Sequence, residues 1–356
     1  MTEPLLSAVL PNYNHGQYLP FAIDSIAGQN TPPDEIIVID DASTDDSRDV
    51  LLECQRRHPT LVVLVNERNL GALNTLQRGL EVAKGRYIYF AAADDQVLPG
   101  FFSRAIATLE KAPTVGLFCA ETILLDGASK KTIGIRPVVR PLRRGGHLFP
   151  KDVEKLLKRA DNFIHTGSSI FRRQSLLKKG GFVVEAGSFS DGLLARKVAL
   201  TDGMWFVPTV AAIWHIHAEG LSRATALKPH KALDALRTIP LLIEADPDFP
   251  SWYAELFRRR WRFGSARLAL DVIPPDKELL TAMAPETRVD RAFIVTLAPF
   301  LNFQAARWVT LAWLTLRLRP FRLRDLAVTV FDRWTGRGAV FDESWPDELQ
   351  ARKERE

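Results

Sequence analysis

The first ninety residues alternate short apolar runs with amphipathic stretches, and most of the runs stop at a polar cluster. Leu6–Leu10 gives way to Pro11-Asn12-Tyr13-Asn14, and Glu35–Ile39 to Asp40-Asp41-Ala42-Ser43-Thr44. Leu61–Val65 is a third run, and Arg86–Phe90 a fourth that leads into Ala91-Ala92-Ala93-Asp94-Asp95. Runs this short and this continuous suit strands buried on both faces. Between them, Gln17–Gln29 places Leu19, Ala22, Ile23 and Ile26 at helical spacing, and Asp45–Arg57 anchors on Val50 and Leu51. Leu73–Ala83 forms a third helix closed by Gly85. Strand and helix in this rhythm predict an α/β fold, a mostly parallel sheet flanked by helices. Ligands of such sheets sit beyond the carboxyl ends of the strands, where Asn12, Asp40, Asp41, Asp94 and Asp95 fall.

The rhythm loosens over residues 120–165, with a loop at Arg140–Gly146 and a short helix at Lys151–Ala160. Gly167–Phe171 reads as a strand, Arg173–Lys179 as a helix closed by Gly180-Gly181, and Trp205–Pro208 as a further strand. Asp191 opens an amphipathic stretch over Gly192–Ala199. Past about residue 235 strand signals vanish and the chain reads as helical, rich in Arg, Leu, Trp and Phe. The expected division is therefore 1–235 and 236–356, with a frayed charged end over Glu343–Glu356. Several classes are excluded. A net charge of +5 without a concentrated basic stripe does not make a nucleic-acid binder. No apolar run reaches the roughly 18 residues of a spanning helix. Cys54 and Cys119 are too few for a disulfide framework or a cysteine metal cluster, and both read as packing residues. With no basic, apolar leader at the N-terminus, they point to a cytoplasmic setting. Gly16 and Gly71 lack the spacing of a dinucleotide fingerprint or a P-loop.

An ordered set of segments resembles the inverting family 2 glycosyltransferases, which have the GT-A fold. The pieces are Val9-Leu-Pro-Asn-Tyr-Asn14, Ile36-Ile-Val-Ile-Asp-Asp-Ala-Ser-Thr-Asp45, Asn69-Leu-Gly71 and Ala83-Lys-Gly-Arg-Tyr-Ile88. They continue with Ala93-Asp-Asp95, Gly167-Ser-Ser-Ile-Phe-Arg172 and Gly180-Gly-Phe182, so the likeness covers about residues 5–222. It implies that Asp40 and Asp41 hold the nucleoside of a sugar nucleotide, with Pro11 and Tyr13 lining the base pocket. Carboxylates suit that task because base and ribose offer N–H and O–H donors. The same Asp-Ala-Ser-Thr run would equally cap the following helix.

The resemblance further makes Asp95 the ligand of a divalent cation, Mg²⁺ or Mn²⁺, with Asp94 nearer the ribose or the metal shell. A hard cation held by one or two carboxylates offsets charge on a leaving diphosphate. Asp191 stands where the family places its general base, which takes the acceptor hydroxyl's proton; it would also cap its helix, and Glu185 is the reserve. Two departures are visible. Ala92 and Ser190 occupy positions where many relatives carry an acid. Within Trp214-His-Ile-His-Ala-Glu-Gly-Leu-Ser222, His217 would contact metal or phosphate, and His215 stands where an arginine is commoner. In a strand the two histidines would share one face.

The stretch 251–340 carries more positive charge than the net +5 of the whole chain. There Phe293–Leu316 is strongly apolar and runs into Arg317-Leu-Arg-Pro-Phe-Arg-Leu-Arg324. Aromatic residues interleaved with arginine suit either an anionic membrane surface or helices packed on the catalytic part or on a second subunit. The expectation is an inverting transferase moving sugar from a nucleotide-diphosphate donor, UDP-type, to a hydroxyl on a glycan or lipid-linked acceptor in surface polysaccharide or glycoconjugate synthesis. The other reading is a non-catalytic relative that binds a sugar nucleotide or glycan as a scaffold.

Overall fold

The computed structural model describes residues 4–217, 220–285 and 287–335, without the side chains of 221 and 222; the expected frayed end at 343–356 lies outside them. Four strands, β1 (Leu6–Asn12), β2 (Glu35–Asp40), β3 (Leu61–Val65) and β4 (Tyr87–Phe90), run parallel in the order β3-β2-β1-β4. Helices α1 (Leu19–Ala27), α2 (Ser47–Arg57) and α3 (Ala72–Val82) make the crossovers. Next come β5 (Gln96–Val97), α4 (Phe101–Lys111), β6 (Leu117–Asp126), β7 (Thr132–Arg136) and β8 (Gly146–Leu148). The α/β part closes with α5 (Pro150–Leu157), β9 (Ser169–Arg172), α6 (Arg173–Lys178), α7 (Ser190–Asp202) and β10 (Met204–Ile216). Beyond β4 the sheet becomes mixed. Antiparallel β9 sits between β4 and β6, followed by β10 parallel to β6 and then β5, while β7 and β8 hang from β6 and β10.

Alternate residues of each strand feed opposite faces. Leu6, Ala8 and Leu10 of β1 join the core under α1, α2 and α4. Val9 joins the core on the other face with Leu80 of α3 and Val198 of α7. Past β10 the described chain is helical: α8 (Leu221–Leu227), α9 (Pro229–Ala245), α10 (Tyr253–Asp271), α11 (Lys277–Met283), α12 (Arg288–Leu297), α13 (Gln304–Leu318) and α14 (Leu323–Trp334). Residue 235 lies inside α9. Ala235, Ile239 and Ile243 of that helix, with Tyr253 and Phe257 of α10, pack in the same core as the sheet. The far ends of α9 and α10 join a separate core with α11–α13, around Phe263, Leu280, Ile294 and Leu314.

One local expectation needs correcting. The strand expected to stop at Pro208 continues to Ile216, because register shifts on either side of Val210 take up the irregularity that proline brings to the ladder. Where the rhythm loosens, over 120–165, β6 extends through the first residues, β7 and β8 follow, and the expected short helix is α5.

Candidate active site

At the carboxyl ends of β1 and β2, Asn12 stands opposite Asp40 in register and donates Nδ2–H to Asp40 Oδ1 at 3.0 Å. The other Asp40 oxygen accepts from the Ser43 amide at 3.2 Å and from Arg48 Nε at 3.4 Å. Asp41 takes three donors: Asn66 Nδ2 at 2.7 Å and the amides of Leu70 and Gly71 at 2.8 Å. Both carboxylates are buried, and Asp41 pins the 66–71 loop to this edge. The Asp-Ala-Ser-Thr run does not cap α2 through its side chains. Instead Asn14, at φ +54°, accepts from the amides of Thr44 and Asp45 and ties the two loops together. Pro11 is half-buried beside this brace, and Tyr13 is 44% exposed.

β10 grips the second acidic pair. The His215 amide donates to Asp95 Oδ1 at 3.0 Å, and His215 Nδ1 lies 2.7 Å from the Asp94 carbonyl oxygen. A carbonyl only accepts, so the proton sits on Nδ1. Burial, and then the Asp94 charge, push the Asp95 carboxyl well above the usual carboxylate range against the opposing bond from the His215 amide. His217 Nε2 lies 3.6 Å from Asp94 Oδ2 and is buried with no hydrogen-bond partner. The His217 ring packs against Tyr18, with centroids 5.5 Å apart, and over Gly127, where a Cβ would come within 2.5 Å of Nδ1. Among the described residues no three His, Cys, Asp or Glu side chains form a metal cage. Two carboxylates short of donors and one orphaned ring nitrogen nevertheless fit a hard cation that draws its other ligands from phosphate and water.

The third carboxylate reaches the same place through a short turn. Thr166, in the 3₁₀ turn Thr166–Ser168, donates its hydroxyl to Asp191 Oδ2 at 2.8 Å, while the Gly192 amide donates to Oδ1 at 2.7 Å. The next residue, Gly167, abuts Asp95: a Cβ there would stand 3.9 Å from Asp95 Oδ2. Tyr89 from β4 holds that glycine's carbonyl at 3.0 Å. Asp95 and Asp191 thus flank one turn, with Asp94 and His217 beside Asp95. Asp40 and Asp41 lie along the same sheet edge but bind their own loops. Glu185 is exposed on the preceding 3₁₀ segment. Helix α7 begins at Ser190, whose hydroxyl accepts from the Val183 amide at 2.7 Å, so this side chain anchors a loop.

Sequence reasoning passed over His165, Thr166 and Gly127. His165 is half-buried against Trp214, ring centroids 4.7 Å apart, and bonds Thr122 Oγ1 at 3.1 Å. Burial, with Arg136 nearby, lowers its pKa to about 4, so it is neutral. The one signal was its place next to Thr166-Gly167 at the head of a strand.

Residues 7–180 match the family described as Glycosyl transferase family 2. The uncharacterized protein MT1568 of Mycobacterium tuberculosis is 29% identical over 317 residues, 86% of this chain and 93% of that protein. The putative teichuronic acid biosynthesis glycosyltransferase TuaG of Bacillus subtilis is 36% identical over 94 residues, 26% of this chain and 37% of its own length. Two solved structures share the fold. One is the mannosyltransferase PcManGT from Pyrobaculum calidifontis in complex with GDP-Man and Mn²⁺ (TM-score 0.54, 22% identity, 92% of this chain and 87% of that one). The other is S. aureus TarS 1-349 in complex with UDP (TM-score 0.56, 17% identity, 96% and 98%).

Proposed function

Through its residues 7–180 the chain belongs to glycosyl transferase family 2 and is a glycosyltransferase of GT-A fold, and from that premise we propose that it transfers with inversion. The donor is a nucleotide-diphosphate sugar, UDP-type, and the acceptor a hydroxyl on a glycan or lipid-linked carrier of a surface polysaccharide or glycoconjugate. The observation that carries this reading is the single turn flanked by Asp95 and Asp191.

Each residue then has a task. Pro11 and Tyr13 line the base pocket, while Asp40, fully buried and bonded to Asn12 and Ser43, braces it from behind and Asp41 holds the wall formed by 66–71. Asp95, with Asp94 and His217, would hold Mg²⁺ or Mn²⁺, which when bound neutralises charge growing on the diphosphate. Asp191 is the general base. Its two hydrogen bonds, from Thr166 and Gly192, fix the carboxylate and leave lone pairs free. The acceptor oxygen attacks the anomeric carbon, the bond to the diphosphate oxygen breaks, and the hydroxyl proton passes to Asp191. Residues 1–235 are the catalytic unit and 236–356 an appendage that steadies it. That appendage docks on the cytoplasmic face of a membrane through α13 and α14, whose apolar stripes point outward. Among the described residues no helix is long and apolar enough to cross a membrane.

The test is a panel of UDP- and GDP-sugars with Mg²⁺ or Mn²⁺, read as release of nucleoside diphosphate with acceptor present. One donor class should turn over, and Asp191→Asn should lower transfer at least a hundredfold while donor affinity by calorimetry is kept. Comparable transfer by the variant would put the base elsewhere. Donor binding without turnover on any acceptor would favour the scaffold.

A further inference from the structure

Arg136 closes β7 opposite Thr122 of β6. Opposed residues of an antiparallel ladder project from the same face. Thr122 turns its hydroxyl toward His165 Nδ1 and Ser168 Oγ, at 3.1 and 2.8 Å, so Arg136 stands on the face occupied by the 165–168 turn. That turn carries the Thr166 bond to Asp191 and abuts Asp95. The nearby Trp214–His165 pair, its rings tilted by 31°, supplies an aromatic wall.

Of the other arginines of this segment, Arg144 is exposed to water and three are matched. Arg140 forms a two-pronged pair with Glu121 at 2.7 and 2.9 Å, Arg143 pairs with Asp332 at 2.7 and 2.6 Å, and Arg159 with Asp325 at 2.9 and 2.5 Å. Arg136 differs: among the described residues its side chain has neither a hydrogen bond nor a carboxylate partner. It is half-buried, and the charge acting on it is another cation, Arg267 of α10. His165 beside it is neutral and offers no compensation. A guanidinium drawn partly out of water without a partner loses solvation, and its planar fork matches an oxyanion with two parallel bonds.

We propose that Arg136 is an anion subsite on the acceptor side of the cleft, so that the molecule presenting its hydroxyl to Asp191 carries a phosphate or carboxylate group. The proposal deepens the transferase reading and rests on it for the word acceptor. The wall of Trp214 and His165 would face the sugar or carrier next to that group, and Arg136 would fix the distance from the anion to the attacking oxygen.

The experiment titrates the full chain with sn-glycerol 3-phosphate, glucuronate and uncharged glucose by calorimetry, without donor, in EDTA and at fixed ionic strength. EDTA keeps a metal from recruiting phosphate at Asp95. At least one anion should bind, glucose should not, and Arg136→Gln should weaken the anion at least tenfold, with Arg136→Lys in between. Which anion binds separates phosphate from carboxylate. Thermal unfolding gives a second readout: removing an unpaired cation should leave the ligand-free Tm unchanged or raise it, whereas a structural arginine would lower it. Equal anion binding by wild type and Arg136→Gln, no binding of either anion, or a clear fall in Tm would overturn the proposal. If binding behaves as expected but no donor ever turns over, the transferase reading fails and Arg136 stands as an anion site alone.

Discussion

Ala42, directly after Asp40 and Asp41, holds φ at +59°, in the left-handed region that costs a residue with a Cβ about 1–2 kcal/mol. The conformation turns the chain back after the two aspartates, so that the Ser43 amide reaches Asp40 Oδ2 at 3.2 Å. Glycine would adopt it freely but would return about 0.4–1 kcal/mol of entropy to the unfolded chain. Ala42→Gly should therefore stabilise the protein by about 0.5–1 kcal/mol, seen as a higher urea midpoint at unchanged slope. Destabilisation would mean that the Ala42 methyl group makes a contact worth more than the strain. The same balance of fold against site runs through Asp95, whose neighbours leave it short of donors, as suits a carboxylate kept for a cation.

Helix α7 carries Asp191 in its first turn, and its orientation is fixed by a network that reaches from the α/β part into α10. Arg196, one turn on, donates Nε–H to Asp161 Oδ1 and Nη2–H to the Asp161 carbonyl, both at 2.5 Å. Tyr253 of α10 adds its hydroxyl to the same carboxylate at 3.0–3.1 Å, and Arg260 stands 3.5 Å away. Burial and the Asp161 charge both push the Tyr253 hydroxyl up, so it stays a donor. Tyr253→Phe should cost about 1–2 kcal/mol in denaturant unfolding. With Asp191 as the proposed base, the substitution should also lower kcat several-fold with donor KM kept, because that carboxylate is displaced and the donor contacts are not. A loss of stability with kcat unchanged would reduce the network to packing. None of this was legible in the sequence, since Asp161, Arg196 and Tyr253 meet only through the fold. The parallel strands were legible because each apolar run is buried along its length by its own crossover helices. β7 and β8 were not: they are short, and partners far along the chain define them. The roles of His165 and Gly127 likewise depend on Thr122 and His217, contacts that no local pattern announces.

At the scale of the whole molecule, α14 is inside out for a surface helix. Asp325, Thr329 and Asp332 turn inward to Arg159, the Arg140 amide and Arg143, and Arg333 joins the buried Arg140–Glu121 pair. Leu323, Val330, Phe331 and Trp334, the last 83% exposed, turn outward. A soluble surface helix has the opposite arrangement. α13 repeats the outward stripe with Trp308 (60% exposed), Val309 and Leu316 (63%), preceded by exposed Phe303. Arg319 and Arg322 between the helices and Arg324 in the first turn of α14 are exposed, and none has a carboxylate partner among the described residues. Apolar and aromatic side chains rimmed by free arginines match the headgroup boundary of an anionic bilayer, where each arginine contributes about 1 kcal/mol. The full chain should therefore sediment with vesicles containing 30% phosphatidylglycerol and far less with pure phosphatidylcholine. Raising the salt to about 0.5 M should release it as screening shortens. The pair Arg322→Glu and Arg324→Glu should weaken binding roughly thirtyfold or more and remove the preference for anionic lipid, while Trp308→Ser with Leu316→Ser should weaken it on every lipid. Absence of vesicle binding, together with a doubled mass in solution that Trp308→Ser returns to 40.0 kDa, would assign this face to a second copy of the chain.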